Sequence, residues 1–150
     1  AGNKNEKTWV VNYIQRTVIK LKVGSNVMMV NTDPVALDAP PFIDQASGRT
    51  LVPLRAIAEA IGAEVAYEAK AQKVDIKKGD ISLTLWIGKP NAIVNGKQVK
   101  IDPDKPLSTM IRNGRTFLPL RFVAESFQFK VDWEAATQTI TMTYPNPDKK

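Results

Sequence analysis

The side chains best suited to chemistry come in pairs, and the pairs recur. Arg55 and Glu59 stand four residues apart, as do Arg121 and Glu125. On a helix that spacing brings opposite charges together. The arrangement suits an anion site occurring twice, or a salt bridge that fixes each helix in place, and the salt bridge is favoured because such pairs are common and individually weak. Arg49 and Arg115 precede the same segments and take the same reading. Asp102-Pro103-Asp104 spaces two carboxylates as calcium loops do, but it lacks the Gly and the distal Glu of an EF-hand, so a turn is expected. Paired carboxylates for glycoside hydrolysis need only be close in space, and nothing in the sequence singles out such a pair. Met28-Met29 offers soft thioethers for copper(I). Adjacent strand residues point to opposite faces, however, so core filling by one of them is the better reading.

Among the aromatics, Trp86 is the candidate for a surface ring. The alternation of Ile81, Leu83, Leu85 and Ile87 with Ser82, Thr84 and Trp86 puts the last three on the opposite face of a strand. An exposed ring there can stack on a sugar or cover a neighbouring unit, and packing is favoured over binding. Ser82, Thr84 and Trp86 therefore form the candidate ligand or docking surface. Tyr67 and Trp133 share their strand faces with Val65 and Val131, which predicts burial for both. Trp9 and Tyr13 lie in a stretch without a repeat partner and mark a junction with an upstream domain.

The inventory excludes much. The 150 residues contain no Cys and no His. A Ser-His-Asp or Cys-His nucleophile, an ordinary zinc site and an imidazole acid or base are therefore ruled out. An enzyme would have to work with carboxylates, Lys, Tyr or Ser. Disulfides are absent too, which leaves a secreted origin compatible with the sequence. The net charge of +6 with 24% charged residues is spread along strands, turns and tails, without the clustered basic and aromatic side chains of a nucleic-acid surface. No apolar run reaches the roughly 18 residues of a membrane span. The chain starts at Ala1 rather than Met, as expected of a processed protein or a piece of a longer one.

These residues are positioned by an internal repeat. Gly48-Arg49-Thr50-Leu51-Val52-Pro53-Leu54-Arg55-Ala56-Ile57-Ala58-Glu59 returns as Gly114-Arg115-Thr116-Phe117-Leu118-Pro119-Leu120-Arg121-Phe122-Val123-Ala124-Glu125. Upstream, Leu21, Val23, Gly24 and Asp38 answer to Leu85, Ile87, Gly88 and Asp102. Pro53 and Pro119 can each open a helix, where a missing N–H costs nothing. Leu54, Ile57, Ala58 and Ile61, and likewise Leu120, Val123, Ala124 and Phe127, fall on one helical face. Gly62 suits a left-handed helix end, whereas Gln128 at the matching place is less comfortable. Strands are expected over 64–67, 73–77, 130–133 and 139–143. Asn95-Gly96 predicts a tight hairpin, and Asn31-Thr32-Asp33-Pro34 a looser loop because Pro34 lacks a donor.

The reading is α+β: two similar units, 17–80 and 81–144, each an antiparallel β-sheet curled against one short α-helix, packed as one domain. Residues 1–16 form a tail or junction and 145–150 a frayed C-terminal tail.

The doubled Arg-Thr-Leu-Val-Pro-Leu-Arg and Arg-Thr-Phe-Leu-Pro-Leu-Arg motifs, with the intervening Val-Asn-Gly hairpin, resemble the copper amine oxidase N-terminal-like domain, also called the stalk domain, over about residues 17–144. The resemblance implies an antiparallel sheet against a helix, in secreted or surface-attached proteins of Gram-positive-type bacteria, and a non-catalytic appendage in the oxidases themselves. Gln128-Phe129 departs from the family's Gly-Ala, and 9–16 diverge. Copper amine oxidation needs imidazole ligands, so the oxidase activity does not carry over to a chain without His. The resulting expectation has no cofactor. It is a non-catalytic extracellular module that spaces, presents or docks a larger surface protein and contacts cell-wall or environmental polysaccharide, anionic wall polymers suiting the charge. The alternative is a carbohydrate-binding module built on Trp86.

Overall fold

The computed structural model describes residues 16–147. Fourteen strands and two helices alternate along this span. The first repeat contributes β1 (Thr17–Lys22), β2 (Val27–Val30), β3 (Asp33–Ala36), β4 (Phe42–Ile43), β5 (Thr50–Pro53), α1 (Leu54–Ile61), β6 (Glu64–Glu68) and β7 (Lys73–Lys78). The second contributes β8 (Ile81–Trp86), β9 (Asn91–Val94), β10 (Lys97–Lys100), β11 (Met110–Arg112), β12 (Arg115–Pro119), α2 (Leu120–Ser126), β13 (Lys130–Glu134) and β14 (Thr139–Tyr144).

The strands form three antiparallel sheets, ordered β13-β14-β1-β2-β3, β10-β9-β8-β7-β6 and β11-β12-β5-β4. The fold is α+β, but no sheet belongs to one repeat, which corrects the expectation that each of the two units packed as one domain holds an antiparallel sheet of its own. The hairpin after α2 pairs with β1 from the start of the chain, Thr17 opposite Tyr144. The hairpin after α1 pairs with β8, Lys78 opposite Ile81. In the four-stranded sheet the two motif strands pair with each other, Leu118 opposite Val52. Each repeat supplies the partners that the other lacks, so neither could satisfy its strand edges alone.

Both helices lie against β5 and β12; α1 also touches β6 and α2 touches β13. Their stripes are buried as the period predicts: Leu54, Ile57, Ala58 and Ile61 in α1, and Leu120, Val123 and Ala124 in α2 with Phe127 just beyond. Of the adjacent methionines, Met28 is in the core at 1% exposure and Met29 is not. Gly62 ends α1 in the left-handed region at φ 75°, and Gln128 takes the same region at φ 69° after α2. Ala63 N–H and Phe129 N–H donate back to Ala58 and Ala124 carbonyls, so both helices end in the same geometry.

The first-repeat loop is tighter than expected. Val30 pairs with Asp33 across a two-residue turn, in which Asn31 takes φ 57°. Pro34 is accommodated because β3 is an edge strand, where a missing donor breaks no ladder. The two turns even share an anchor. Asn31 Oδ1 accepts from Val18 N–H and Asn95 Oδ1 from Ser82 N–H, each at 2.9 Å. The C-terminal stretch is also less free than expected, since Asn146 N–H donates to the Gln128 carbonyl at 3.1 Å. Trp9, Tyr13 and most of the N-terminal tail lie outside the described residues.

Candidate functional site

The repeated charged residues converge on two grooves, one beside each helix. The first, of about 580 Å³, lies against α2 and β13. The second, of about 890 Å³, lies against α1 and β6. Many of the positions that shape one have their repeat equivalent in the other: Arg49 and Arg115, Asp102 and Asp38, Pro119 and Pro53, Arg121 and Arg55, Glu125 and Glu59, Trp133 and Tyr67.

At one end of the first groove Arg49 Nε meets Asp102 Oδ2 at 2.6 Å, with the Asp102 side chain only 10% exposed. The other carboxylate oxygen accepts from the backbone N–H groups of Asp104 at 2.8 Å and Lys105 at 3.1 Å. The Asp102-Pro103-Asp104 stretch is therefore a turn closed on its own backbone, as the sequence predicts. The Arg49 hydrogen bond, helped by the Asp104 N–H, holds the Asp102 carboxyl below its ordinary value against the opposing effect of burial. The same partner raises Arg49. Asp44 Oδ2 accepts from Ser47 Oγ at 2.7 Å, and Ser47 Oγ accepts from Arg49 N–H at 3.2 Å, which ties down the loop leading to Arg49.

The matching pair in the second groove is loose. Arg115 Nε lies 4.0 Å from Asp38 Oδ2, and the Asp38 side chain is 69% exposed. Both pairs join the two repeats, which residue spacing alone did not reveal, although Asp38 and Asp102 were recognisable as equivalents. Within the helices, Arg121 Nη1 reaches Glu125 Oε2 at 3.3 Å. Among the described residues Arg55 and Glu59 make no such pair.

The aromatics require a correction. Tyr67 is 46% exposed and Trp133 42%, where burial was expected. Their strands, β6 and β13, are outermost in their sheets, with a neighbouring strand on one side only. Trp86 is half-buried at the end of β8, opposite Lys73. Ser82 is exposed, and Thr84 Oγ1 donates to Asp75 Oδ1 at 2.6 Å. Lys73 lies 3.5 Å from Glu68 and 3.8 Å from Asp75, so Trp86 sits at the margin of a charged ladder rather than in a groove.

The donor set does not suit copper. The chain has neither His nor Cys, and among the described residues no three acidic side chains are placed so that they could hold a metal ion. No helix among them is long and apolar enough to cross a membrane.

Residues 33–142 match the copper amine oxidase N-terminal domain. A relative from Brevibacillus choshinensis, described as a protease inhibitor, is 27% identical over 120 residues, covering 73% of this chain and 36% of the relative.

Proposed function

Because the chain belongs to the copper amine oxidase N-terminal domain family, we propose that it is a non-catalytic module of a larger secreted or surface protein of a Gram-positive-type bacterium, which it spaces, presents or docks at the cell wall. The family match carries this reading, because the family is named for a domain appended to a catalytic enzyme rather than for the catalytic part. The architecture agrees with it: the Asp102 carboxylate is engaged by Arg49 and by two backbone N–H groups, and the pair ties one repeat to the other. It has no free acid or base to offer a substrate.

The reading is tested by mixing the chain with purified Gram-positive cell walls at physiological salt and sedimenting them. Retention in the wall pellet, without amine oxidation or submicromolar copper binding by calorimetry, is expected. A chain left in the supernatant would refute wall docking. The relative's description adds a direct assay. Casein proteolysis by a bacterial serine protease should be unchanged by the chain, and inhibition would mean that the module docks to a protease instead.

A second reading, a carbohydrate-binding module, is favoured by one observation: a half-exposed aromatic stands in each groove, Trp133 in the first and Tyr67 in the second.

A further inference from the structure

We propose that the two grooves are paired subsites for a neutral pyranose polymer, an inference that rests on the carbohydrate-binding reading and names its ligand class and residues. Three observations converge on it.

The first is the ring. Tyr67 and Trp133 hold the same place in the repeat and stay about half exposed on edge strands, each two residues after a valine on the same strand face. An aromatic face of this kind suits the C–H face of a sugar whose hydroxyls are equatorial, because that face is apolar while the rim is polar.

The second is charge. The chain as a whole carries +6. The first groove, however, sets Arg49 and Arg121 against Asp102, Asp104 and Glu125, and the second sets Arg55 and Arg115 against Asp38 and Glu59. The grooves are close to neutral, so the basic excess lies elsewhere and an anionic polymer gains nothing by entering them. An acidic wall polymer, expected from the resemblance to suit the basic chain better than DNA, would have to bind outside the grooves.

The third is hydrogen-bonding capacity. In the first groove each guanidinium is held by one carboxylate, Arg49 through Nε at 2.6 Å and Arg121 through Nη1 at 3.3 Å. A guanidinium carries five N–H donors in a fixed fork, so most remain for a ligand. Hydroxyls can take these donors and feed the carboxylates without bringing a charge that would have to be desolvated and matched. Uncharged, hydroxyl-rich ligands are the class that such preformed ion pairs accept at least cost.

The test is native affinity electrophoresis of the whole chain through gels containing hydroxyethyl cellulose, glycol chitin or no polymer. Retardation by at least one polymer is expected. Trp133→Ala and Tyr67→Ala should each weaken it several-fold, the double variant should abolish it, and Trp86→Ala should leave it unchanged. Trp133→Phe should retain most of it, which separates loss of a ring from loss of the fold, and thermal melts of the alanine variants should overlay the wild type. Unretarded wild type in both polymers, or a double variant retarded like wild type, would overturn the proposal. Retention on whole cell walls together with failure in both gels would discard the neutral-glycan sites and leave the docking reading intact.

Discussion

The two grooves are built from equivalent residues, yet they differ in how firmly those residues are held. In the first, Arg49 and Asp102 are in direct contact and the carboxylate also closes a turn. In the second, Arg115 and Asp38 stand 4.0 Å apart in solvent. Their approaches differ as well. Arg115 follows a two-residue hairpin, Arg112 paired with it across Asn113-Gly114, whereas Arg49 follows a longer loop fixed by Asp44 and Ser47. The α2 pair is closed and the α1 pair is open. A duplicated position thus keeps its place in the fold while its energetic weight is set by burial and by the other hydrogen bonds its partner makes.

The largest effect should come where the repeats are most alike. Leu120→Ala should destabilise by about 2 to 5 kcal/mol in urea unfolding, with Leu54→Ala in the lower part of that range. Leu120 is 3% exposed and Leu54 9%. A loss below about 0.5 kcal/mol at Leu120 would show that the α2 stripe is not packed.

Next comes the contrast between the carboxylates. Asp102→Ala should cost about 1 to 3 kcal/mol, since it strands two backbone donors and a guanidinium, while Asp38→Ala should stay within about 0.5 kcal/mol. Equal costs would erase the distinction between the grooves. The pH dependence has a definite sign. A carboxyl held below its ordinary value in the folded state contributes stability that is fully present above its unfolded value of about 3.9 and is lost as pH falls through the lower folded value. The stability difference between wild type and Asp102→Asn should therefore be constant at neutral pH and shrink on acidification below about pH 4.

A smaller effect concerns the helix ends. Gln128→Gly should stabilise by about 0.5 to 1 kcal/mol, and Gly62→Gln should destabilise by about 1 kcal/mol, because both sites require a left-handed residue. No atom lies within 4 Å of a Cβ placed on Gly62, so the penalty there is conformational rather than steric. If Gln128→Gly were destabilising, its side chain would have to make a compensating contact.

The sequence made the local elements legible because their signals are local. The Asn95-Gly96 turn, the apolar stripes and the proline-opened helices all follow from residues within a few positions of each other. What it did not disclose depends on partners far along the chain. Alternation in β6 put Tyr67 and Val65 on one face but could not say that the face would stay exposed. The same alternation assigned Trp86 to the face opposite the core, without disclosing that Lys73 and its acidic partners occupy that surface. The exchange of strands between repeats escaped because each repeat carries a complete list of elements, and only the pairing of β1 with β14 and β7 with β8 shows where they go. The Asn31 turn was misjudged because Pro34 weighs against a strand only until its place at an edge is known.

If the grooves are the binding sites, the outer sheet face bearing Trp86 takes no part in recognition. The most direct measurement follows the indole N–H resonances by 15N-correlated NMR while hydroxyethyl cellulose oligomers are added. Trp133 should shift and broaden in proportion to ligand while Trp86 stays fixed. A shifting Trp86 with an unmoved Trp133 would contradict the account and return the site to the strand of Ser82, Thr84 and Trp86.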